Sequence, residues 1–234
     1  MTANPFIIVE VLYPGLTQLD FTGPHTVFSR LPNTEVIVAS LPGGPIASDG
    51  GLTFAGTRPM ADIARCDLLF FPGGLATTDV INDLAFMAEV GRLASGARYL
   101  TSVCTGSLIL AAAGLLRGKR AACHWAWRDM LSPFGAIPDP ARVVRDGDIL
   151  TGGGVTAGID FALVVAAELA GEDFAQWIQL VLEYAPAPPF QAGRPEIAPP
   201  HILEMARKSM APLMPSRTAG AQAAAERLLA ETPV

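Results

Sequence analysis

Short apolar runs alternate with helical stretches along the first hundred residues of the chain. Four runs rich in β-branched or other apolar residues predict buried strands, at residues 7–12, 35–39, 67–71 and 99–103. Between them, one stretch at 24–31 starts with a proline in its first turn and another at 84–93 carries apolar residues at helical spacing, so both predict crossover helices. This alternation is typical of βαβ units and of a mostly parallel sheet.

The second half of the chain begins with a predicted hairpin. Residues 142–144 and 149–151 flank an Asp-Gly dipeptide at 146–147 that suits a tight turn, and we expect this strand pair at an edge of the sheet. Two apolar helices are predicted next, at 159–170 and 174–182, and both are expected to cover sheet faces. The pattern predicts an α/β fold, a three-layer sandwich.

Prolines dominate the segment 184–200 and exclude regular structure there, which predicts an extended arm that wraps the domain or a partner subunit. From His201 onward the pattern is helical, and this tail is too short to form a second folded domain. We therefore expect one α/β domain over 1–200 and a helical tail over 201–234, packed on that domain or on a dimer partner.

Composition narrows the classes of function. With 234 residues and 50% hydrophobic residues, the chain can bury a full core, and its apolar runs are too short and interrupted to span a membrane. The net charge of −6, without a Lys/Arg cluster, gives no footprint for nucleic acid. The N-terminus lacks a basic region and places Glu10 within its apolar stretch, so a secretory signal is not expected and the cytoplasm is. A small molecule is the expected partner.

Cys104 is the cysteine whose local pattern suggests chemistry. An apolar strand runs directly into an apolar helix at this residue, and Gly106 keeps the following turn free of a Cβ, which is the shape of a nucleophile elbow. A thiol at a helix N-terminus favours the thiolate, so we expect Cys104 to be partly ionised at neutral pH. The alternative is a small buried apolar residue, which is the interpretation we adopt for Cys66 and Cys123. None of the three lies in a metal-ligand spacing.

Two glycine-rich segments follow predicted strands. The segment FFPGG at 70–74 offers the amides of Gly73 and Gly74, together with that of Thr105, as donors to an anionic intermediate, although a turn needed only for geometry explains the glycines equally well. The segment GGGVTAG at 152–158 resembles a dinucleotide loop only approximately, because a helix stands where a strand with a ribose-binding acid is required. We expect it to pack close to the active site, with Gly153 and Val155 on the substrate or oxyanion side.

Asp20 is the candidate acid or base. It follows the first strand and precedes the predicted helix, so parallel strands bring it to the same sheet edge as Cys104. An ordinary loop or capping aspartate is the alternative. His124 and His25 are rival bases, but a histidine beside Trp125 is more typical of a packed residue.

Five separated motifs together carry a family resemblance. They are QLDFTGPH at 18–25, TSVCTGS at 101–107, ACHWA at 122–126, LTGGGVTAGIDFA at 150–162 and LEYAPAPPF at 182–190. Through them nearly the whole chain resembles the ThiJ/PfpI superfamily, which has a flavodoxin-like, class I glutamine amidotransferase-like sandwich, and within it most closely the isocyanide (isonitrile) hydratases.

The resemblance implies an activity and a set of residue roles. Cys104 would be the nucleophile, Asp20 the acid or base, and Thr105 a group that positions the substrate. The implied enzyme is a homodimeric hydro-lyase without metal or cofactor, which converts an isocyanide to an N-substituted formamide through a thioimidate. The peptidase-like branch carries histidine where this chain has Thr105, which argues against a protease.

Two other functions stay open on the same residues. One is a ligand-sensing module, because the domain also resembles the amidotransferase-like half of AraC-type regulators; the short tail after Pro200 leaves no room for their DNA-binding helices. The other is a redox or glyoxal-handling protein that uses Cys104.

Overall fold

The computed structural model describes residues 4–231, so the first three and last three residues of the predicted domain and tail lie outside it. The strands in chain order are β1 (Phe6–Val11), β2 (Thr34–Ser40), β3 (Gly44–Ala47), β4 (Thr53–Pro59), β5 (Leu68–Phe71), β6 (Tyr99–Val103), β7 (Arg120–Ala121), β8 (Ile137–Pro138), β9 (Val143–Asp146) and β10 (Ile149–Gly152). The α-helices are α1 (Gln18–Phe28), α2 (Thr77–Val80), α3 (Leu84–Ala94), α4 (Ser107–Ala112), α5 (Ala157–Ala170), α6 (Glu172–Val181), α7 (Pro200–Met210) and α8 (Met214–Glu231).

Eight strands form one sheet in the order β3-β4-β2-β1-β5-β6-β10-β9. Every neighbouring pair from β4 to β10 is parallel, and β3 and β9 are antiparallel strands at the two edges. The mostly parallel α/β fold is therefore confirmed. In such a sheet the loops after β1, β5, β6 and β10 meet at one edge, where open α/β proteins bind ligands.

Both faces of the sheet are buried, as expected for parallel strands covered by helices. Val9 and Leu69 contribute to the apolar cluster that includes residues of α3, α4 and α8. Their neighbours Ile8 and Phe70 contribute to the opposite cluster, with residues of α1, α5 and α6. The continuous apolar runs in the sequence result from this burial on two sides.

Helix α1 begins one and a half turns earlier than the sequence pattern predicts. It begins at Gln18 rather than at Pro24, so Asp20 lies in its first turn and Pro24 lies inside it. A proline there removes the backbone hydrogen bond to the carbonyl of residue 20. Packing outweighs this loss, because the Pro24 ring fits against Gly158 of α5, where an added Cβ would lie 3.1 Å from Pro24 Cδ.

The other predicted elements agree with the structure to within two residues at each end. The hairpin of β9 and β10 forms at the sheet edge, with Gly147 at a φ of 66° in its turn. Gly171, at a φ of 88°, separates α5 from α6. The short strands β3 and β4 were not predicted, because their segments are rich in glycine and proline and lack a sustained apolar run.

The C-terminal part contains an arm and two helices. Residues 184–199 have neither helix nor strand, as their prolines predict. Helix α8 packs against α4, with Ala221, Ala224 and Ala225 fully buried. Among residues 4–231, no helix has the length and apolarity that crossing a bilayer requires.

Candidate active site

Cys104 occupies a strained turn at the carboxyl end of β6. Its φ is 56°, in the left-handed region that non-glycine residues rarely adopt, and it begins a short 3-10 turn, Cys104–Gly106, that leads into α4. Its amide donates to the Gly153 carbonyl at 2.7 Å. Strain of this kind collects at functional sites, where the surrounding structure holds the residue in place. The predicted elbow is therefore present.

Two glycines allow the backbone to approach this turn closely. At Gly106, an added Cβ would clash with the Phe71 carbonyl. At Gly73, an added Cβ would lie 2.6 Å from Asp20 Oδ2, 2.6 Å from the Thr105 nitrogen and 2.7 Å from Cys104 Cβ. Gly73 therefore borders the three predicted catalytic groups at once.

Asp20 is completely buried at the start of α1. Its Oδ2 accepts a hydrogen bond from the Gly73 amide at 3.0 Å, and its Oδ1 has no hydrogen-bond partner within residues 4–231. Burial raises the pKa of Asp20 to about 7, although interactions with the Cys104 thiol and the Gly73 amide act in the opposite direction. A carboxyl group with this pKa can both accept and donate a proton near neutral pH.

The expectation that Cys104 is partly ionised is wrong for the structure described. Burial and the nearby Asp20 carboxylate raise the pKa of the Cys104 thiol well above its ordinary value, and the Thr105 amide offsets only part of this. Helix α4 has six residues, so its dipole is small. The resting pair is therefore a neutral thiol beside Asp20. Burial also raises the pKa values of Cys66 and Cys123 to about 12, so geometry rather than acidity distinguishes Cys104.

The amides of Gly73 and Gly74 are already engaged. Gly73 donates to Asp20, and Gly74 donates to Thr105 Oγ1 at 2.9 Å, so these glycines hold the side chains of Asp20 and Thr105 rather than offer free donors. The Thr105 amide lies against the Cys104 thiol, where it lowers the pKa of that thiol. Of the three predicted donors, the Thr105 amide is the one placed to bind a developing anion.

A buried hydroxyl network that the sequence analysis missed supports Thr105. Its Oγ1 lies 2.7 Å from Thr77 Oγ1, which lies 3.0 Å from the Tyr13 hydroxyl. Tyr13 in turn donates to the Pro72 carbonyl at 2.9 Å. Tyr13 follows β1 and Thr77 follows the Gly73-Gly74 turn, so position at the carboxyl edge of the sheet was the available signal.

A cavity of about 220 Å³ lies beside the elbow. Gly153 and Val155 line it, as do Cys123 and His124, whereas Gly73 and Gly74 do not. The Gly153 amide donates to the Arg142 carbonyl, so it is not a free donor. The loop at 152–158 therefore forms part of the wall of this cavity, and its Gly153 carbonyl also accepts the hydrogen bond of the Cys104 amide.

Neither histidine proposed as a rival base hydrogen-bonds to Cys104 in the described part of the chain. His124 packs against Trp127 with ring centroids 4.7 Å apart, and its Nδ1 accepts from the Ala126 amide. Burial lowers the pKa of His124 to about 4, so it is neutral. His25 Nδ1 lies 2.5 Å from Glu10 Oε2 on β1. Both histidines are held in other interactions.

Arg217 of α8 reaches the loop that carries the glycine turn. Its Nη2 donates to the Leu75 carbonyl at 2.6 Å, and its guanidinium lies over the Trp127 ring, 5.2 Å from the centroid. Nothing in the local sequence of the tail indicated this contact. Within residues 4–231, no three His, Cys, Asp or Glu side chains assemble into a metal-binding group.

Comparisons of the sequence and of the structure with known proteins find relatives that agree with one another. The model of the DJ-1/PfpI family matches residues 7–168. A protein named isonitrile hydratase, from Pseudomonas putida, is 48% identical over 218 residues, which cover 93% of this chain and 96% of that protein. A solved structure titled as a ThiJ/PfpI family protein from Pseudomonas syringae has a TM-score of 0.89 and 41% identity, covering 94% of this chain and 90% of that one.

A transcriptional regulator of Rhizobium meliloti, described as HTH-type, is a more distant relative. It is 30% identical over 147 residues, which cover 62% of this chain and 45% of the regulator. This chain therefore matches about half of that protein, in contrast to its nearly full-length match with the Pseudomonas putida relative.

Proposed function

The chain belongs to the DJ-1/PfpI family, and from this premise we propose that it is an isonitrile hydratase in which Cys104 is the nucleophile. The observation that carries the proposal is the strained Cys104 beside the buried Asp20, in a chain that is 48% identical to a protein named for this activity. The regulator alternative has weaker support, because the Rhizobium meliloti regulator is only 30% identical and is matched over 45% of its length.

The first step is addition of sulfur to the isonitrile carbon. Asp20, as a carboxylate, takes the proton of the Cys104 thiol as the S–C bond forms, and then delivers this proton to the same carbon. The product is a thioimidate, R–N=CH–S–Cys104. Proton transfer within the pair removes the need for a free thiolate at rest, which agrees with the raised pKa of Cys104.

The second step is hydrolysis of the thioimidate. Water attacks the imidate carbon, and Asp20 takes one proton from this water and passes it to the imidate nitrogen. The C–S bond then breaks as the C=O bond forms, and the remaining hydroxyl proton moves through Asp20 to the Cys104 sulfur, which releases the N-substituted formamide and the free thiol. Thr105 is held in place through its hydroxyl by Gly74 and Thr77, and its amide donates a hydrogen bond to the reacting atoms on which negative charge develops.

The test is conversion of a small aryl isocyanide, followed by mass spectrometry of the formamide. Wild-type protein should form the formamide, and Cys104→Ala should form none, since it lacks the reacting sulfur. Cys66→Ala is the matched control, because Cys66 is an equally buried thiol outside the site. Turnover by folded Cys104→Ala, as checked by circular dichroism, would falsify the proposed mechanism.

We also propose that the enzyme is a cytoplasmic homodimer. Exposed apolar side chains on α6 support the dimer, since Trp177, Leu180 and Val181 are 49%, 79% and 53% exposed, and such patches mark interaction surfaces. Sedimentation should give a dimer at micromolar concentration, and Leu180→Glu should weaken it. A wild-type monomer at that concentration contradicts the proposal. Cell fractionation tests the location.

A further inference from the structure

The cavity beside the elbow is lined by residues adjacent to Cys104, although Cys104 itself is not among them. Gly153, which lines it, accepts the Cys104 amide hydrogen bond at 2.7 Å. Cys123 also lines it and lies close enough to Cys104 to raise the pKa of that thiol. A substrate that reacts with Cys104 can therefore keep its remaining atoms in this cavity.

Arginines from three separate segments converge on the cavity. Arg128 follows the His124–Trp127 loop, Arg142 precedes β9, and Arg194 comes from the proline-rich arm. Arg142 is already neutralised by an ion pair with Asp160, and it also donates to the Thr156 carbonyl. The positive charge of Arg142 is therefore already balanced within the protein.

The guanidinium groups of the other two arginines are not paired within the described part of the chain. Within residues 4–231, the Arg128 and Arg194 side chains have no ion pair or hydrogen bond. One carboxylate, that of Glu196, lines the same cavity, so the lining keeps an excess of positive charge in a chain whose net charge is −6. Such an excess attracts an anionic ligand group.

The remaining lining sets the size and shape of that ligand. Trp125 and Val155 provide an aromatic and an aliphatic surface, and the volume of about 220 Å³ admits a small molecule. A guanidinium presents two parallel N–H donors, which match the two oxygens of a carboxylate. The walls therefore fit a short organic body that ends in a carboxylate.

We propose that this cavity is the substrate subsite and that Arg128 and Arg194 select small isonitriles that carry a carboxylate group. The inference rests on the proposed function, since it concerns the substrate of the same reaction. The arm then has a role in specificity, because it supplies one of the two arginines.

The experiment compares isocyanoacetate with its methyl ester, which differ in charge and little in size. We expect wild-type protein to favour the carboxylate by about tenfold in kcat/KM, the effect of one charge-assisted contact. Arg128→Gln and Arg194→Gln should each reduce this preference about tenfold, mainly through KM. Arg207→Gln, which removes the same charge from the exposed face of α7, should leave the ratio unchanged.

The outcomes separate the two proposals. Equal turnover of acid and ester by wild-type protein, or a preference that survives both substitutions, overturns the subsite and leaves the hydratase function intact. Failure to hydrate the acid, the ester and a neutral aryl isocyanide overturns the hydratase function together with the subsite. Circular dichroism of each variant verifies folding, which these surface substitutions should not disturb.

Discussion

Two buried carboxyl groups in the first βα unit differ in the neighbouring groups that offset the cost of their burial. Glu10 on β1 is paired with His25, 2.5 Å away, whereas Asp20 on α1 has the Gly73 amide and the Cys104 thiol. Each leaves one oxygen without a hydrogen bond within the described residues, and burial raises both pKa values. Burial alone therefore does not distinguish a catalytic acid from a structural one. The distinction lies in whether the neighbour is a cation partner or a group that can exchange a proton.

The comparison predicts opposite consequences for activity. Asp20→Asn keeps the shape but removes the exchangeable proton, so we expect turnover to fall by about 10²- to 10⁴-fold. Glu10→Gln should keep turnover within a few-fold of wild type. Steady-state kinetics on variants with matched circular dichroism spectra measures both. Wild-type rates for Asp20→Asn, with an inactive His124→Ala, would replace the acid–base assignment with a Cys–His mechanism.

The close backbone approach around Asp20 gives the next largest effect. Gly73→Ala places a methyl group within 2.7 Å of atoms of Asp20, Thr105 and Cys104, and a displacement of about 1 Å should cost roughly 100-fold in kcat. Gly91→Ala is the matched control, because no neighbouring atom lies within 4 Å of its Cβ position on α3. Equal kcat values for the two variants contradict the geometry.

Stability as a function of pH sharpens the difference between the carboxyl groups. The folded pKa of Asp20 is about 7, above its value of about 3.8 in the unfolded chain, so the folded state binds the extra proton between these values. Stability due to this group is present below about pH 4 and lost as pH rises towards 7. Asp20→Asn should therefore gain roughly 2–4 kcal/mol relative to wild type between pH 4 and pH 8. Denaturant unfolding of both proteins at pH 4 and pH 8 measures this gain in the free energy of unfolding. The same difference between variant and wild type at the two pH values would contradict the prediction.

The smallest effect is expected at His25. Its pKa is raised by the hydrogen bond to Glu10, so its contribution to stability is present below about pH 6.5 and lost as pH rises through the folded pKa. His25→Gln should cost about 1 kcal/mol near pH 6, a modest value because the imidazole is partly exposed, and less at pH 9. Thermal unfolding at the two pH values tests this. A larger loss at pH 9 would contradict the sign.

Much of the fold followed from the sequence, because buried parallel strands leave long apolar runs. The run at Tyr99–Val103 gave β6 with its observed bounds. The start of α1 did not follow, because Pro24 inside the helix is tolerated only through its packing on Gly158, a residue 134 positions later in the sequence numbering. Local propensity carries no information about such a contact.

The sequence predicted which residues lie together in the site, but it did not predict their pKa values or hydrogen bonds. Cys104 and Asp20 were placed together because the carboxyl ends of parallel strands share one edge. The thiolate expectation failed because the pKa of Cys104 depends on burial and on the distance to Asp20, which the chain order does not give. For the same reason the engagement of the Gly73 amide and the contribution of Tyr13 were not foreseen.

The bond between Arg217 and the Leu75 carbonyl also has a consequence for the order of events during translation. The two residues are separated by 142 positions, which the ribosome needs roughly 7 to 28 seconds to synthesise. Throughout that time the glycine turn of the nascent chain lacks its clamp from α8. The Leu75 carbonyl therefore acquires this hydrogen bond only after the segment around Arg217 has emerged, so the contact between the glycine turn and α8 forms late in synthesis.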